Sequence, residues 1–169
     1  QNAGGFCYYN RKNGVIRNCE SSVDIIMNKA RNAGGFSGQA DNGALFENCL
    51  FSGSIKKINN DDTASNDCSG IVGWSNTATY KNCLVIADFD LNSGANAICR
   101  GNKNISGCYY KESTCNEAND ATSVTAAQLS SGEVAYLLNG SVSGGTNWTQ
   151  TIGTDANPSP IGSSIVYAI

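Results

Sequence analysis

The 169-residue sequence contains no histidine, only two prolines and no apolar run close to the roughly 20 residues that span a bilayer. Without histidine, a Cys/His zinc site and any histidine-based triad or general base are excluded. The eight cysteines include no CxxC pair, which an all-cysteine zinc site would need. Charged residues are scarce at 15% and the net charge is −3, which argues against a nucleic-acid-binding protein. We therefore expect no metal, no cofactor, no nucleic-acid partner and no membrane span.

What the sequence does contain is an internal repeat of about 25–35 residues. Residues 3–6 (AGGF) recur at 33–36 and, more loosely, at 68–71 (CSGI). Each copy precedes a turn-rich stretch and a second block that ends in Asn-Cys; these second blocks are 14–19 (GVIRNC), 44–49 (ALFENC) and 78–83 (ATYKNC). A degenerate fourth copy follows at 97–108. Short β-patterned blocks without a helical period favour a β-solenoid over a helical array.

Aligning the second blocks places similar residues in columns, meaning equivalent positions of successive coils stacked about 4.8 Å apart. The column three places before each cysteine is apolar and is expected to point inward; it holds Ile16, Phe46, Tyr80 and Ile105. The next column is charged with alternating sign and should face solvent; it holds Arg17, Glu47 and Lys81. An asparagine column suited to a bend and to an amide ladder follows, with Asn18, Asn48 and Asn82. The last column consists of cysteines whose side chains are predicted to point inward and to be mostly unpaired thiols; it holds Cys19, Cys49, Cys83 and Cys108.

These blocks resemble the GLUG repeat of bacterial surface proteins, in which a glycine-rich turn precedes a Gly-x-Ile-x-Asn-Cys strand. The resemblance covers residues 3 to about 108, with 35–38 and 70–73 on the first half of the motif. Two copies depart from it, with Tyr8 in place of the closing glycine and Arg100 near that place in the short fourth copy. The resemblance implies a right-handed parallel β-helix displayed outside the bacterial cell, with no catalytic residues. Because the sequence opens at Gln1 directly inside a repeat and shows no signal peptide, we expect it to be a processed or trimmed piece of a longer protein.

The predicted fold is therefore mainly β, with a right-handed parallel β-helix of about four coils over residues 1–118. Residues 119–169 differ in character and are predicted to be a capping segment of one helix and one strand. The helix is expected from about 130 to 139, with Leu137 and Leu138 on its apolar face, and the strand at 165–167. Together with Trp148, this segment is expected to cover the open edge of the last coil, since uncovered edges aggregate.

Exposed aromatic residues are the best binding candidates in the repeats. Tyr9 and Trp74 are predicted to align with Gln39 and Gly101 at the place after each first block, on one side of the coils. Two rings in one column would form a modest platform for stacking on sugars. The alternative is that these aromatic residues only pack over the edges of the coils.

Three further patterns in the sequence are candidate sites. Cys108 and Cys115 flank six residues and are candidates for a disulfide that closes a small loop. Asp88 and Asp90 are candidates for a carboxylate pair or for calcium ligands, although a solvent-facing strand with Phe89 inward is the favoured interpretation. The polar run 59–67 supplies oxygen ligands for calcium but lacks the loop pattern of a calcium motif, which favours a simple insertion.

Two functions remain open from the sequence. The favoured one is a non-catalytic structural or adhesive module of an exported bacterial surface protein, located at the cell surface or outside the cell. Its partners would be neighbouring domains of the same polypeptide, glycans or a host surface protein. The alternative is a carbohydrate-active β-helix domain of the polysaccharide lyase or hydrolase kind. The missing histidine and the lack of clustered acidic and basic columns favour the first.

Overall fold

The computed structural model describes residues 2–28, 32–58, 67–91, 95–115 and 121–162. Within them the chain is mainly β, with fifteen strands followed by two short helices. The first repeat contains β1 (Asn2–Gly4), β2 (Cys7–Asn10), β3 (Val15–Ser21) and β4 (Asp24–Met27). The second contains β5 (Asn32–Gly34), β6 (Ser37–Ala40), β7 (Leu45–Phe51) and β8 (Ser54–Lys57). The third contains β9 (Asp67–Ser69), β10 (Val72–Lys81), β11 (Leu84–Val85) and β12 (Asp88–Asp90). Next come β13 (Cys99–Ser106), β14 (Tyr109–Lys111) and β15 (Thr122–Val124), then α1 (Ala126–Ser131) and α2 (Glu133–Leu138).

All named strands pair in parallel with the equivalent strands of neighbouring repeats. One sheet has the order β1-β5-β9, another β4-β8-β12, and the largest joins the remaining strands. In β1, β5 and β9, for example, Ala3 is in register with Ala33 and Ala33 with Cys68. The mainly β prediction is thus confirmed, and this ladder of parallel repeats is consistent with a parallel β-solenoid. In the described part of the chain, no helix is long and apolar enough to cross a membrane.

The column predicted to point inward does so. Phe46 and Tyr80 are buried and in register, with ring centroids 5.4 Å apart and planes 10° from parallel. Ile16 and Ile105, at either end of the column, are partly buried and pack against the same core. The neighbouring column faces outward, where Arg17 Nε lies 3.7 Å from Glu47 Oε2. Strand alternation accounts for both results, because successive side chains point to opposite faces.

The repeated double glycine of the first block is explained by contact with the core. A Cβ on Gly35 would lie 2.3 Å from the Phe51 ring, and one on Gly70 would lie 2.5 Å from a Val85 methyl group. Both large side chains are fully buried between the sheets. Gly35 and Gly70 therefore allow an apolar side chain from the opposite strand to pack directly against the backbone. In the first block Gly5 instead faces the Ser21 hydroxyl.

The C-terminal helical part begins earlier than predicted and is divided in two. Thr125 caps α1 by accepting from the backbone N–H of Gln128, whose side chain caps Thr125 in return. Gly132, with φ of 90°, then separates α1 from α2. The helix expected from about 130 to 139 is present as α2, which has its C-cap at Asn139 as predicted but starts later, after the left-handed Gly132. The predicted terminal strand 165–167 lies outside the described residues.

This C-terminal segment packs along a side of the repeats. Its buried side chains form one cluster with outward-facing residues of β7 and β11; the cluster comprises Leu50, Leu84, Val124, Leu129, Val134, Leu138 and Trp148. Leu50 and Leu84 are in register, and Glu20 is in register with Leu50 in the first repeat. Ser159 Oγ lies 3.3 Å from the Glu20 carboxylate, so the segment reaches back to that repeat. β15, at the start of the predicted capping segment, pairs with β14 and so covers that strand's edge, as expected. The rest of the segment also covers a side of several repeats, which was not predicted.

Candidate functional site

The asparagine column adopts a backbone conformation that few residues tolerate. Asn18, Asn48 and Asn82 have φ of 51°, 52° and 49°, in the left-handed region. Asparagine and glycine are the residues that occupy this region most readily, and Gly107, with φ of 60°, takes the equivalent place in the fourth repeat. Asn48 Nδ2 also donates to Asn18 Oδ1 at 2.9 Å, which links two repeats. The column therefore has an architectural role at the bend.

The cysteine column follows directly and is equally architectural. Cys49, Cys83 and Cys108 are buried, whereas Cys19, in the outermost described repeat, is half-buried. Each thiol lies near the backbone carbonyl oxygen two residues earlier in the chain. The distance is 3.0 Å from Cys19 Sγ to Arg17 O and 3.5 Å from Cys108 Sγ to Ser106 O. A thiol is small enough for the interior and is still a weak donor to a carbonyl at the bend. Burial raises the pKa of Cys83 well above its ordinary value, which keeps that thiol protonated and unreactive.

Cys108 and Cys115 are both present as thiols, and no disulfide joins them in the structure. Cys108 Sγ instead accepts from the backbone N–H of Cys83 at 3.4 Å, which directs it toward the neighbouring repeat. Burial raises the pKa of Cys115 to about 11. The Cys115 thiol therefore lacks the low pKa of a reactive cysteine. The hydrogen bond with the Cys83 side chain, by contrast, lowers the pKa of the buried Cys108 thiol.

The predicted aromatic alignment is present, with one correction. Tyr9 is in register with Gln39, and Gln39 with Trp74. The fourth member is Arg100, and the prediction of Gly101 at this position was wrong. The register shifts there because β13 has one residue fewer than β10 between the positions of Val72 and Trp74. We call Tyr9, Gln39, Trp74 and Arg100 the aromatic column; its two rings lie two strand spacings apart, or about 9–10 Å.

Both rings of the aromatic column have a guanidinium group beside them. Arg100 Cζ lies 5.8 Å from the centre of the Trp74 ring, and Arg11 Cζ lies 5.3 Å from that of Tyr9. Both distances are within the range of cation–π attraction. Trp74 nevertheless keeps 38% of its surface exposed. The position of Arg11 beside the ring could be predicted from the sequence, because Arg11 lies two residues after Tyr9. The position of Arg100 could not be predicted, because of the one-residue deletion in its strand.

Hydrogen bonds hold the other polar groups of the aromatic column. The Tyr9 hydroxyl donates to Asp41, and this bond to the carboxylate raises the pKa of Tyr9. Asn2 Nδ2 donates to Gln39 Oε1 at 3.2 Å, which orients the amide between the two rings. Rings, an amide and guanidinium groups are thereby fixed on one face of the repeats. These are groups that can stack on and hydrogen-bond to a sugar chain.

The carboxylates of β12 lie elsewhere. Asp88 and Asp90 are exposed while Phe89 packs toward the core, as the favoured interpretation of this strand expects. Lys57 Nζ lies 3.6 Å from Asp90 Oδ1. Asp88 lines a cleft of about 490 Å³ that is completed by the turn at 111–114, which includes Glu112. Over the described ranges, no group of three or more metal-binding side chains comes together. Residues 59–66 lie outside the described residues, so the favoured interpretation of the 59–67 run as an insertion stays a prediction, with calcium binding as its alternative.

Comparison with known proteins found no matching family model, no matching curated protein and no matching solved structure. The resemblance to GLUG repeats therefore remains a hypothesis that rests on the sequence blocks themselves.

Proposed function

We propose that this chain is a right-handed parallel β-helix that serves as a non-catalytic structural and adhesive module of an exported bacterial surface protein. The observation that carries this proposal is the use made of the repeated polar residues. Asn48 links two repeats at a bend, and the cysteine thiols lie against carbonyl groups of their own strands. Side chains that recur in every coil thus stabilise the coils and are not presented to a substrate. Such a module spaces and displays neighbouring domains of the same polypeptide.

The adhesive part of the proposal concerns the aromatic column. Tyr9 and Trp74 present two rings on one face, with the Gln39 amide between them. An extended glycan laid across the strands would stack on both rings and accept hydrogen bonds from the amide. Host or dietary glycans at the cell surface are the partners that this chemistry fits.

A glycan-binding measurement with matched variants tests this function. The native protein should bind at least one polysaccharide in isothermal titration calorimetry. Trp74→Ala should weaken that binding about tenfold, which is at the lower end of the about 1–3 kcal/mol that a nucleobase gains by stacking on an aromatic side chain. Ile152→Ala is the control, because Ile152 is exposed on the C-terminal segment, away from the aromatic column. Binding that is unchanged in Trp74→Ala would place the glycan elsewhere, and no binding to any polysaccharide would refute the adhesive part.

The alternative, a carbohydrate-active domain, draws its support from the cleft beside β12. Asp88 and Glu112 line it together with Lys111, which supplies carboxylates and a cation for polysaccharide cleavage. Release of reducing ends or of unsaturated sugars from polysaccharides measures this activity. Product formed by the native protein, but not by Asp88→Asn or Glu112→Gln, would favour the enzyme over the adhesive module.

A further inference from the structure

The strands of the first repeat form an open end of the ladder. Among the described strands, β1, β2, β3 and β4 each pair on one side only, with β5, β6, β7 and β8 respectively. Their other side presents backbone N–H and C=O groups with which a further strand can pair. At the opposite end of the repeats, β15 pairs with the outer edge of β14. We call the outer side of β1, β2, β3 and β4 the N-terminal end face.

Inward-pointing side chains at the N-terminal end face are more exposed than their equivalents in the next repeat. Phe6 stacks on Phe36 with ring centroids 5.0 Å apart, yet Phe6 is 52% exposed and Phe36 is fully buried. Cys19 is half-buried, whereas Cys49, with which it is in register, is buried. The second repeat is buried because a coil lies on each side of it. One more coil on the N-terminal end face would bury the apolar surface that is exposed there.

The polar columns of the repeats also end at this face. Asn48 Nδ2 donates to Asn18 Oδ1, so the amide N–H groups of the exposed Asn18 lie at the end of that ladder. Arg17 is the last member of the column of alternating charge, and Glu47 lies beside it on the inner side. Opposite charges on neighbouring strands attract and like charges repel. An acidic residue is therefore the favoured neighbour of Arg17 on the outer side.

We propose that the N-terminal end face binds a further β-coil, a segment that adds short parallel strands to this edge and carries an acidic residue beside Arg17. The strand pairs already present support this assignment, because they define the register that the added strands would take. All four strand edges are open together, which favours a whole coil over a single added strand. The inference rests on the proposed structural role and identifies the face by which the module joins a neighbouring domain.

A peptide with the sequence of residues 32–58 is the probe, since it supplies one coil with Glu47 in the charged column. The peptide carries Cys49→Ala, so that only the protein is labelled. Alkylation of Cys19 in the native protein, followed by mass spectrometry, should be about tenfold slower at a peptide concentration ten times the Kd. A second peptide that differs only by Glu47→Lys should bind about fivefold more weakly, and Arg17→Glu in the protein should reverse this order.

Protein variants separate this inference from the proposed glycan contact. Phe6→Ser should weaken binding of the peptide and leave glycan binding unchanged, whereas Trp74→Ala should do the opposite. Arg17→Glu, which changes an exposed side chain, keeps the test decisive if Phe6→Ser does not fold. Loss of peptide binding in Trp74→Ala would place the peptide on another face and overturn the inference.

The labelling of Cys19 also distinguishes other occupants of the N-terminal end face. Rapid labelling that the peptide does not slow would overturn the inference. Labelling as slow as that of Cys49 before any peptide is added would overturn it as well, because the face would already be covered. Light scattering would then show a dimer if a second copy is the occupant, and a monomer if the chain covers its own edge. Equal binding of the two peptides would overturn the acidic neighbour of Arg17.

Discussion

Replacing Leu84 with alanine tests the lateral packing of the C-terminal segment most directly. Leu84 is 0% exposed although it lies on the outward face of β11, and its cluster includes Leu138 and Trp148. A buried leucine-to-alanine change costs about 2–5 kcal/mol. We expect about 3 kcal/mol here, which corresponds to a fall in melting temperature of roughly 6–12 °C for a domain of this size.

Urea unfolding and thermal melting followed by circular dichroism measure this loss. Ile152→Ala provides the control, because Ile152 is 58% exposed on the same segment and its truncation should stay within about 0.5 kcal/mol. If Leu84 faced solvent, as an outward strand residue without a cover would, the two variants would give the same small change. That result would refute the lateral packing.

A double-mutant cycle then tests whether the loss of stability in Leu84→Ala depends on packing against α2. Leu84→Ala and Leu138→Ala are measured singly and together. Residues in one packed cluster show coupling of about 0.5–3 kcal/mol, because each truncation changes the cavity that the other leaves. Additive costs would mean that Leu84 is buried by something other than α2.

Three other predictions concern the repeats. Thiol labelling of the native protein should modify the half-buried Cys19 before Cys49 and Cys83, and equal rates at all three would contradict the buried column. Burial raises the pKa of Cys99 from 9.0 to about 11, so the stability due to its protonated thiol is present below pH 9 and is lost as the pH rises through 11. Removing the thiol in Cys99→Val should therefore reduce the alkaline loss of stability by about 3 kcal/mol in urea unfolding, and an unchanged pH dependence would contradict this. Asn48→Ala should cost about 1–2 kcal/mol and Asn48→Gly less, because of these two replacements only glycine adopts a φ of 52° readily; equal costs would show that the backbone conformation is not the reason.

The repeats were predictable because equivalent positions share one backbone conformation and one environment. Asn18 and Asn48 recur because the chain bends with the same positive φ in each coil, and Phe46 and Tyr80 recur because strand alternation points them to the same core. Because every repeat has the same requirement at the same position, similar residues recur in the sequence at the period of the repeat. A reader of the sequence alone can therefore obtain the columns without knowing how the sheets lie.

What was not predictable depends on single events that leave no periodic trace. One missing residue in β13 replaced Gly101 by Arg100 in the aromatic column. The side on which the C-terminal segment packs depends on contacts between distant parts of the chain. Leu50 and Leu84 each directly follow a column cysteine and so lie at an outward position. Two leucines there predict that another part of the chain covers this face. Glu20, a charged residue at the same position of the first repeat, made that prediction weaker.

The lateral cover also changes how this chain must fold. In an array whose repeats contact only their neighbours, folding can start anywhere and the ends open independently. Here Ser159 meets Glu20 across 139 positions of the chain, so an early repeat is completed by residues that are made long after it. Leu50 and Leu84 stay uncovered during synthesis until that segment arrives. We therefore expect the repeats that this segment contacts to unfold together with it, so that destabilising either one lowers the stability of both.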